Sequence, residues 1–594
     1  MLTAPTTALN GSKAEFGKPL DDQADRATEA TKHLCTGVYL DRPFRDQVLR
    51  RVYGDTRHRV APSYGFDLIP VVNHAWRSWW LDTVHHGLVF AVLVTGFLTN
   101  RPIIVTVVCW LALLFLARRA AVALPDVLRL KSRRLADRLS HRPWKSRDQK
   151  QPRQLLEELR KSERLEHQAR LLRSDSRNCL VLLLVSLVAA GWSDNRLMDG
   201  IKTASWILLS LALFASGAAA LRQMSLNQVQ HSPRLRPKHL TRRQKVIDEQ
   251  QKHTYIIYHR PKSGTKETWD DFDPFEREPT IFVGSGQLVH RWTPPMVVPL
   301  LRSDGKYLIE REYDEPPFRP HELVDHLRST MRTVSDPSDP RRLHLEIHDR
   351  IFLDERDVPE QRDFLIRPTR PDRIQRIIDA SRGKEQHFLE IRVSTSGELV
   401  TTVFLRTSVR GRSLTLDFAA CSLTRTPFDY QVPALFAENG RGAVVRAVLR
   451  ALWRLPEETA RACRLIKLPL ILGPALLAGK DRTLRPRRKT LIGSRFSARE
   501  EKSLPWKESR FDETAIHEDI KLVEQRLLKA VEDFLASHGM DTSAFKKKAD
   551  SIINNSGVLN MGGRLEVKNS VAGANPHIQI QTPVPAGTAQ QNGG

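Results

Sequence analysis

Apolar residues in this chain fall into two textures. Between positions 81 and 221 they come in long runs: 81–98 is apolar except for Asp82, Thr83, His85, His86 and Thr95, and 102–117 carries no charge at all. Only Thr99-Asn100-Arg101 separates these two, which predicts a helical hairpin. A second pair, 179–192 and 203–221, is joined by SDNRLMDGIK and predicts another. Each run is close to or shorter than the ~20 residues that cross a ~30 Å hydrocarbon layer, so flanking residues must complete the span. Trp76, Trp79 and Trp80 before the first run suit an aromatic belt, and Arg118 and Arg119 after the second are placed to reach the headgroups. His85 and His86 read more simply as interfacial polar residues than as ligands.

From about residue 252 the texture changes to short β-branched and aromatic runs bounded by Gly, Pro and Ser: HTYIIYH, PTIFVGSG, RLHLEIHDRIFL, HFLEIRVST, LVTTVFLRTSV and SLTLDFAACSL. These predict strands, with 387–423 a three-stranded meander turning at Ser396-Gly397-Glu398 and Arg410-Gly411-Arg412. Helices are expected at 320–334 and 372–380. The fold class is therefore an α+β domain with a mainly antiparallel sheet, plus two transmembrane hairpins of four short helices. The division follows as an N-terminal segment 1–80, hairpins at 81–118 and 178–222 around a basic helical loop 119–177, and the α+β domain 223–442. A basic amphipathic segment 443–511, an amphipathic helix 512–539 and an Asn/Gly-rich tail 540–594 complete it.

Charge adds direction. Lys and Arg number 93 against 68 acidic residues, a formal +25, and 118–177 holds 18 basic residues against 8 acidic ones. By the positive-inside rule that loop and both termini lie in the cytosol of a cell-membrane protein. The excess points to the anionic inner leaflet as partner. Arg446, Arg450 and Arg454 are four apart beside Val445, Leu449 and Leu452, a basic amphipathic helix for that surface, followed by six basic residues in KDRTLRPRRK. LPLILGPALLA (468–478) is too short to span. Nucleic acid is a less apt partner, because the basic residues gather around the hairpins and not in a nucleic-acid-binding motif. The first 30 residues lack an apolar run, so no signal peptide is expected. Five scattered cysteines with no CxxC argue against a disulfide framework or zinc ribbon.

Candidate chemistry is sparse. His344, Glu346 and His348 alternate on one strand face, which suits the solvent side of a half-buried strand better than a metal. Gly284-Ser285-Gly286 lacks the following GK[ST] of a phosphate loop and reads as a turn, and Asp270, Asp271 and Asp273 read as a polar loop. No catalytic residue, cofactor or metal site is assigned. Ile520, Val523, Leu527, Ala530 and Phe534 form a stripe over 516–534 that serves either self-association or packing on the α+β domain.

Three segments, HLCTGVYLDRPFRDQVLRRVYGD...APSYGFDLIPV (33–71), TIFVGSGQLVHRW (280–292) and EDIKLVEQRLLKAVEDFLASHGMDTSAF...INNSGVLNMGG...NSVAGA (518–574), resemble a family of multi-pass membrane proteins of high-GC actinobacteria. The resemblance implies location and architecture but no activity. The expected function is a membrane-anchored scaffold or signalling module. The alternatives are a membrane-bound enzyme using the α+β domain or a small channel.

Overall fold

The computed structural model describes residues 27–139 save Asn100, Asp175, 178–190, Trp192, 197–259, 281–335, 344–435, 440–462, 468–485 and 491–555, apart from a few single or paired positions within these stretches. The basic stretch 140–174, Asp270, Asp271, Asp273 and the tail from 556 lie outside them.

The chain opens with α1 (Glu29–Leu40) and α2 (Arg42–Gln47), which continues into a π-helical turn, Val48–Gly54. Thr28 caps α1 by accepting the Thr31 N–H, and Asp41 caps α2 by accepting the Phe44 N–H at 3.1 Å, with Pro43 in the first turn. Next come α3 (Leu68–Thr99), α4 (Arg101–Leu139), a shorter apolar helix α5 (Asn178–Ala190), α6 (Leu197–His231) and α7 (Arg242–Lys252). Three of these, α3, α4 up to Val122 and α6 from Gly200, are long and apolar enough to cross a membrane. The fourth expected span is only α5, about 20 Å at 1.5 Å per residue against a ~30 Å core. The hairpin boundaries also shift. α3 begins 13 residues before its apolar run and α4 continues through Arg118 and Arg119 as a single 39-residue helix.

The bundle is antiparallel. Asp82 of α3 meets Arg222 of α6, Arg77 meets Gln228 at 2.8 Å, and at the opposite end Gly96 lies against Ile104 and Ile207. Arg119 pairs with Asp175 at 3.4 Å and the Thr106 hydroxyl reaches the Ser186 carbonyl, so α5 runs back along α4. Val89, Val107, Leu111, Leu211 and Ala215 fill the bundle core. Val84, Leu88, Phe97, Val108, Leu184, Val188, Leu209 and Leu213 face outward as an exposed apolar belt.

The strands are β1 (Tyr255–Tyr258), β2 (Gln287–Arg291), β3 (Met296–Pro299), β4 (Leu345–Asp354), β5 (Gln386–Ser396), β6 (Leu399–Arg410) and β7 (Ser413–Leu423). They form one mixed sheet in the order β1-β4-β5-β6-β7-β2, with β3 also on β7; β1 and β4 are parallel and the other pairs antiparallel. The expected meander is present. Its two-residue turn pairs Arg410 with Ser413 across Gly411, whose φ of 57° is the positive value such a turn needs. No strand forms at 281–286, where a bend and turn stand instead. β3, a four-residue strand missed in the sequence, ends on Pro299, which lacks a ladder donor.

Helix α8 (Pro320–Val334) covers one sheet face, and α9 (Pro371–Asp379) packs beside it. The chain then forms α10 (Phe428–Leu435), α11 (Arg441–Trp453), α12 (Leu455–Ala460), α13 (Leu468–Leu477), α14 (Arg510–Ser537) and α15 (Ser543–Asn555). α14 joins α8 on that face: Ile520, Val523, Leu527, Val531 and Phe534 are buried with Leu323, Leu327, Ile391, Val403 and Leu416. The stripe that offered self-association is thus spent inside the chain's own core.

The opposite face is covered by the N-terminal segment. Tyr64 inserts among Phe282, Phe352, Phe388 and Phe404, and its hydroxyl donates to Glu390 at 3.2 Å. Glu390 is fully buried and also takes Arg350 and Arg392, each at 2.9 Å. His33 meets Glu398 at 2.6 Å, and the buried Arg499 donates to the Tyr64 and Glu398 carbonyls. With both faces covered, β6 is buried along nearly its whole length.

Candidate functional site

Where the bundle meets the sheet domain, α3 turns a polar stripe inward: His74, Ser78, Asp82 and His86 at steps of four, with His85 beside them. His74 hydrogen-bonds the Tyr39 hydroxyl at 3.0 Å and the Ser78 hydroxyl donates to the Val38 carbonyl at 3.1 Å. Asp82, 5% exposed, is approached by three guanidinium groups: Arg45 at 2.7 Å, Arg42 at 3.1 Å, and Arg222 from α6. One carboxylate thereby ties α2, α3 and α6 together. Buried charges are costly to leave unpaired, so removing Asp82 would strand three arginines.

Helix α12 closes the junction. Glu457 pairs with Arg118 on α4, and Glu458 pairs with Arg461 and lies 3.6 Å from Arg42. Burial pulls the Glu458 carboxyl upward, yet Arg42, Arg461 and Arg222 outweigh it and hold the group below its ordinary range. Burial lowers Arg42, against the opposing pull of Asp82 and Glu458. His85, His86 and Glu458 converge, each offering one ligand atom, all within 4.8 Å of one another. Cavities of about 410 Å³ and about 580 Å³ flank the cluster. Arg42, Asp82, His86 and Arg50 line the first, and Arg42, Arg222, Arg454, Glu458 and Lys502 the second.

The residues singled out in the sequence fall into four groups. Of Trp76, Trp79 and Trp80, only Trp80 faces outward, 51% exposed; Trp79 is buried, and Trp76 packs edge-on against Tyr53 and Trp79. Arg118 and Arg119 are engaged with Glu457 and Asp175. Arg446 and Arg450 on α11 and Arg454 at its C-cap are exposed, and so are Val445, Leu449, Leu452 and Trp453. His85 and His86, read as interfacial, are each 5% exposed, because the neighbouring helices enclose them. The S-x-x-x-D-x-x-H-H spacing on α3 is the sequence signal for the stripe. Arg42, Arg45, Arg222 and Glu458 come from distant positions and gave none.

The remaining motifs are structural. Glu346 and His348 are exposed, and Glu346 accepts from Arg392 at 2.7 Å. The Gly284 N–H donates to Glu500 at 2.8 Å, and a Cβ on Gly286, whose φ is 96°, would lie 2.1 Å from the Ser422 carbonyl. The glycines let a turn lie against β7, which is the turn expected there.

Taken together, the molecule is a helical bundle with an apolar belt, joined through a buried charged junction to a domain of helices on a mixed, mainly antiparallel sheet. Residues 293–568 match the AbeC-like domain family, less than half of the chain; the matched part takes in β3 to β7 and Glu458, whereas α3 to α6 lie outside it. No curated protein and no solved structure matches the chain.

Proposed function

We propose that this is a cell-membrane protein that crosses the bilayer four times, keeps both termini in the cytosol and presents its sheet domain there as a scaffold or signalling module. The observation that carries the reading is the antiparallel pairing of α6 with α3, from Asp82–Arg222 at one end to Gly96–Ile207 at the other. After α4 has returned the chain to the Asp82 end, it must cross again before α6 begins, and α5 runs along α4 in the required direction. The basic excess of 118–177 sets the Asp82 end on the cytosolic side. Helix α11 then lies at the inner leaflet, its exposed Val445, Leu449 and Trp453 entering lipid. Arg446, Arg450 and Arg454 meet anionic headgroups there, each contributing about 1 kcal/mol. The AbeC-like match adds support for a discrete domain over 293–568.

Cysteine labelling in intact cells tests the sidedness. Against the parent chain, Thr99→Cys should react with a membrane-impermeant maleimide, and Gln151→Cys should react only after permeabilisation. The reverse pattern would overturn the assignment.

A further inference from the structure

We infer that His85, His86 and Glu458 form a binding site for one divalent transition-metal ion of the zinc class, clamping α12 to α3. The three ligand atoms lie within 4.8 Å of one another; His85 and His86 are buried and Glu458 is half-buried. Both ring nitrogens of His85, Nε2 of His86 and Oε2 of Glu458 are buried and have no hydrogen-bond partner. Buried polar atoms ordinarily have one, so a cluster in which each of three residues carries an orphaned atom lacks a partner.

The surroundings prepare these atoms for coordination. Nε2 is the orphaned nitrogen of His86; with the proton on Nδ1 its lone pair is available, the tautomer a metal-binding imidazole needs. Glu458 gives Oε1 to Arg461; its Oε2 has no hydrogen bond and faces Arg42 at 3.6 Å, an ion pair that a bound metal would share. Ligand atoms on a tetrahedral ion stand about 3.4 Å apart, so the three atoms need draw together only slightly to hold one. The 410 Å³ cavity beside His86 supplies both an entry path and room for a water as fourth ligand.

Charge selects the ion. Asp82 is already shared by Arg42, Arg45 and Arg222, so the field around the cluster is not anionic. Calcium and magnesium need several anionic or carbonyl oxygens and find one. Two imidazoles and one carboxylate suit zinc or cobalt, which are held by coordination to nitrogen.

The test uses the full-length protein in detergent, purified without a polyhistidine tag, stripped with chelator and titrated with zinc against a chromogenic competitor. The expected result is one zinc per chain, undisturbed by millimolar magnesium or calcium, and a visible absorption band typical of a tetrahedral site when cobalt replaces it. H85N/H86N and, separately, Glu458→Gln should weaken binding at least about tenfold, whereas His344→Ala/His348→Ala, on the exposed strand face, should not. The Glu458→Gln variant keeps the side-chain shape and so separates lost coordination from failed folding. Equal zinc affinity in parent and both junction variants, or no stoichiometric zinc in the parent, would overturn the site.

Discussion

Asp82 and His253 illustrate opposite ways of burying an ionisable side chain. Asp82 is surrounded by three arginines and stays charged in the junction. His253 follows α7, and its Nδ1 accepts the Tyr255 N–H at 3.0 Å, a role that only the neutral ring can fill. Burial, with Arg59 nearby, pushes His253 down from 6.5 to about 4. A depressed histidine stabilises the fold above its unfolded value, and that contribution is lost as pH falls from about 6.5 through about 4. The melting temperature of the purified chain should therefore drop over this window. His253→Asn, which keeps an acceptor for the Tyr255 N–H but does not titrate, should show a shallower drop; identical slopes would contradict the assignment. Little of this was legible in the sequence. Composition counts a histidine but does not say what encloses it, and the charged partners of Asp82 lie up to 140 positions away.

At the scale of elements, periodicity worked where a helix or strand has one plain pattern. The 320–334 helix and the 387–423 meander formed at or within a residue or two of the expected bounds, since their ends carry Pro, Gly or Ser and their apolar positions repeat. It failed at TIFVGSG, where apolar residues fill a core from an irregular turn: Phe282 stacks on Phe404 with ring centroids 4.3 Å apart. The stripe on α14 was legible as apolar but not as to its partner, because a coiled-coil seam and a core-facing helix share the same spacing. With Leu527 2% exposed against the sheet, Leu527→Asp should cost several kcal/mol, about 3–5, by leaving a carboxylate in an apolar core. Chemical denaturation of parent and variant measures it. A variant of unchanged stability but smaller oligomer size would instead place Leu527 at a subunit seam.

For the molecule as a whole, the long apolar runs located the bundle but not its depth. Run lengths near the spanning limit leave the element count open, and the three long helices needed polar extensions to reach their full length. The sequence also treated the N-terminal segment, the amphipathic stretch and the sheet as separate parts. Tyr64, Arg499 and Ile471 are buried in shared cores instead, contacts between distant positions that no local pattern encodes. Arg446, Arg450 and Arg454 are exposed, and so are Val445, Leu449 and Leu452, so what this segment meets is not settled by its packing within the chain.

The central claim is that the chain returns through the bilayer along α5. Spin labels placed singly at Leu180, Leu184 and Val188 in the reconstituted full-length protein test it through their relaxation by oxygen and by a water-soluble nickel chelate. These positions are exposed on α5 and face away from the bundle core. The account expects oxygen to dominate at all three, with the depth deepest at Leu184. Access of the nickel chelate to all three positions, with no depth gradient, would place α5 outside the hydrocarbon and contradict the four-span arrangement.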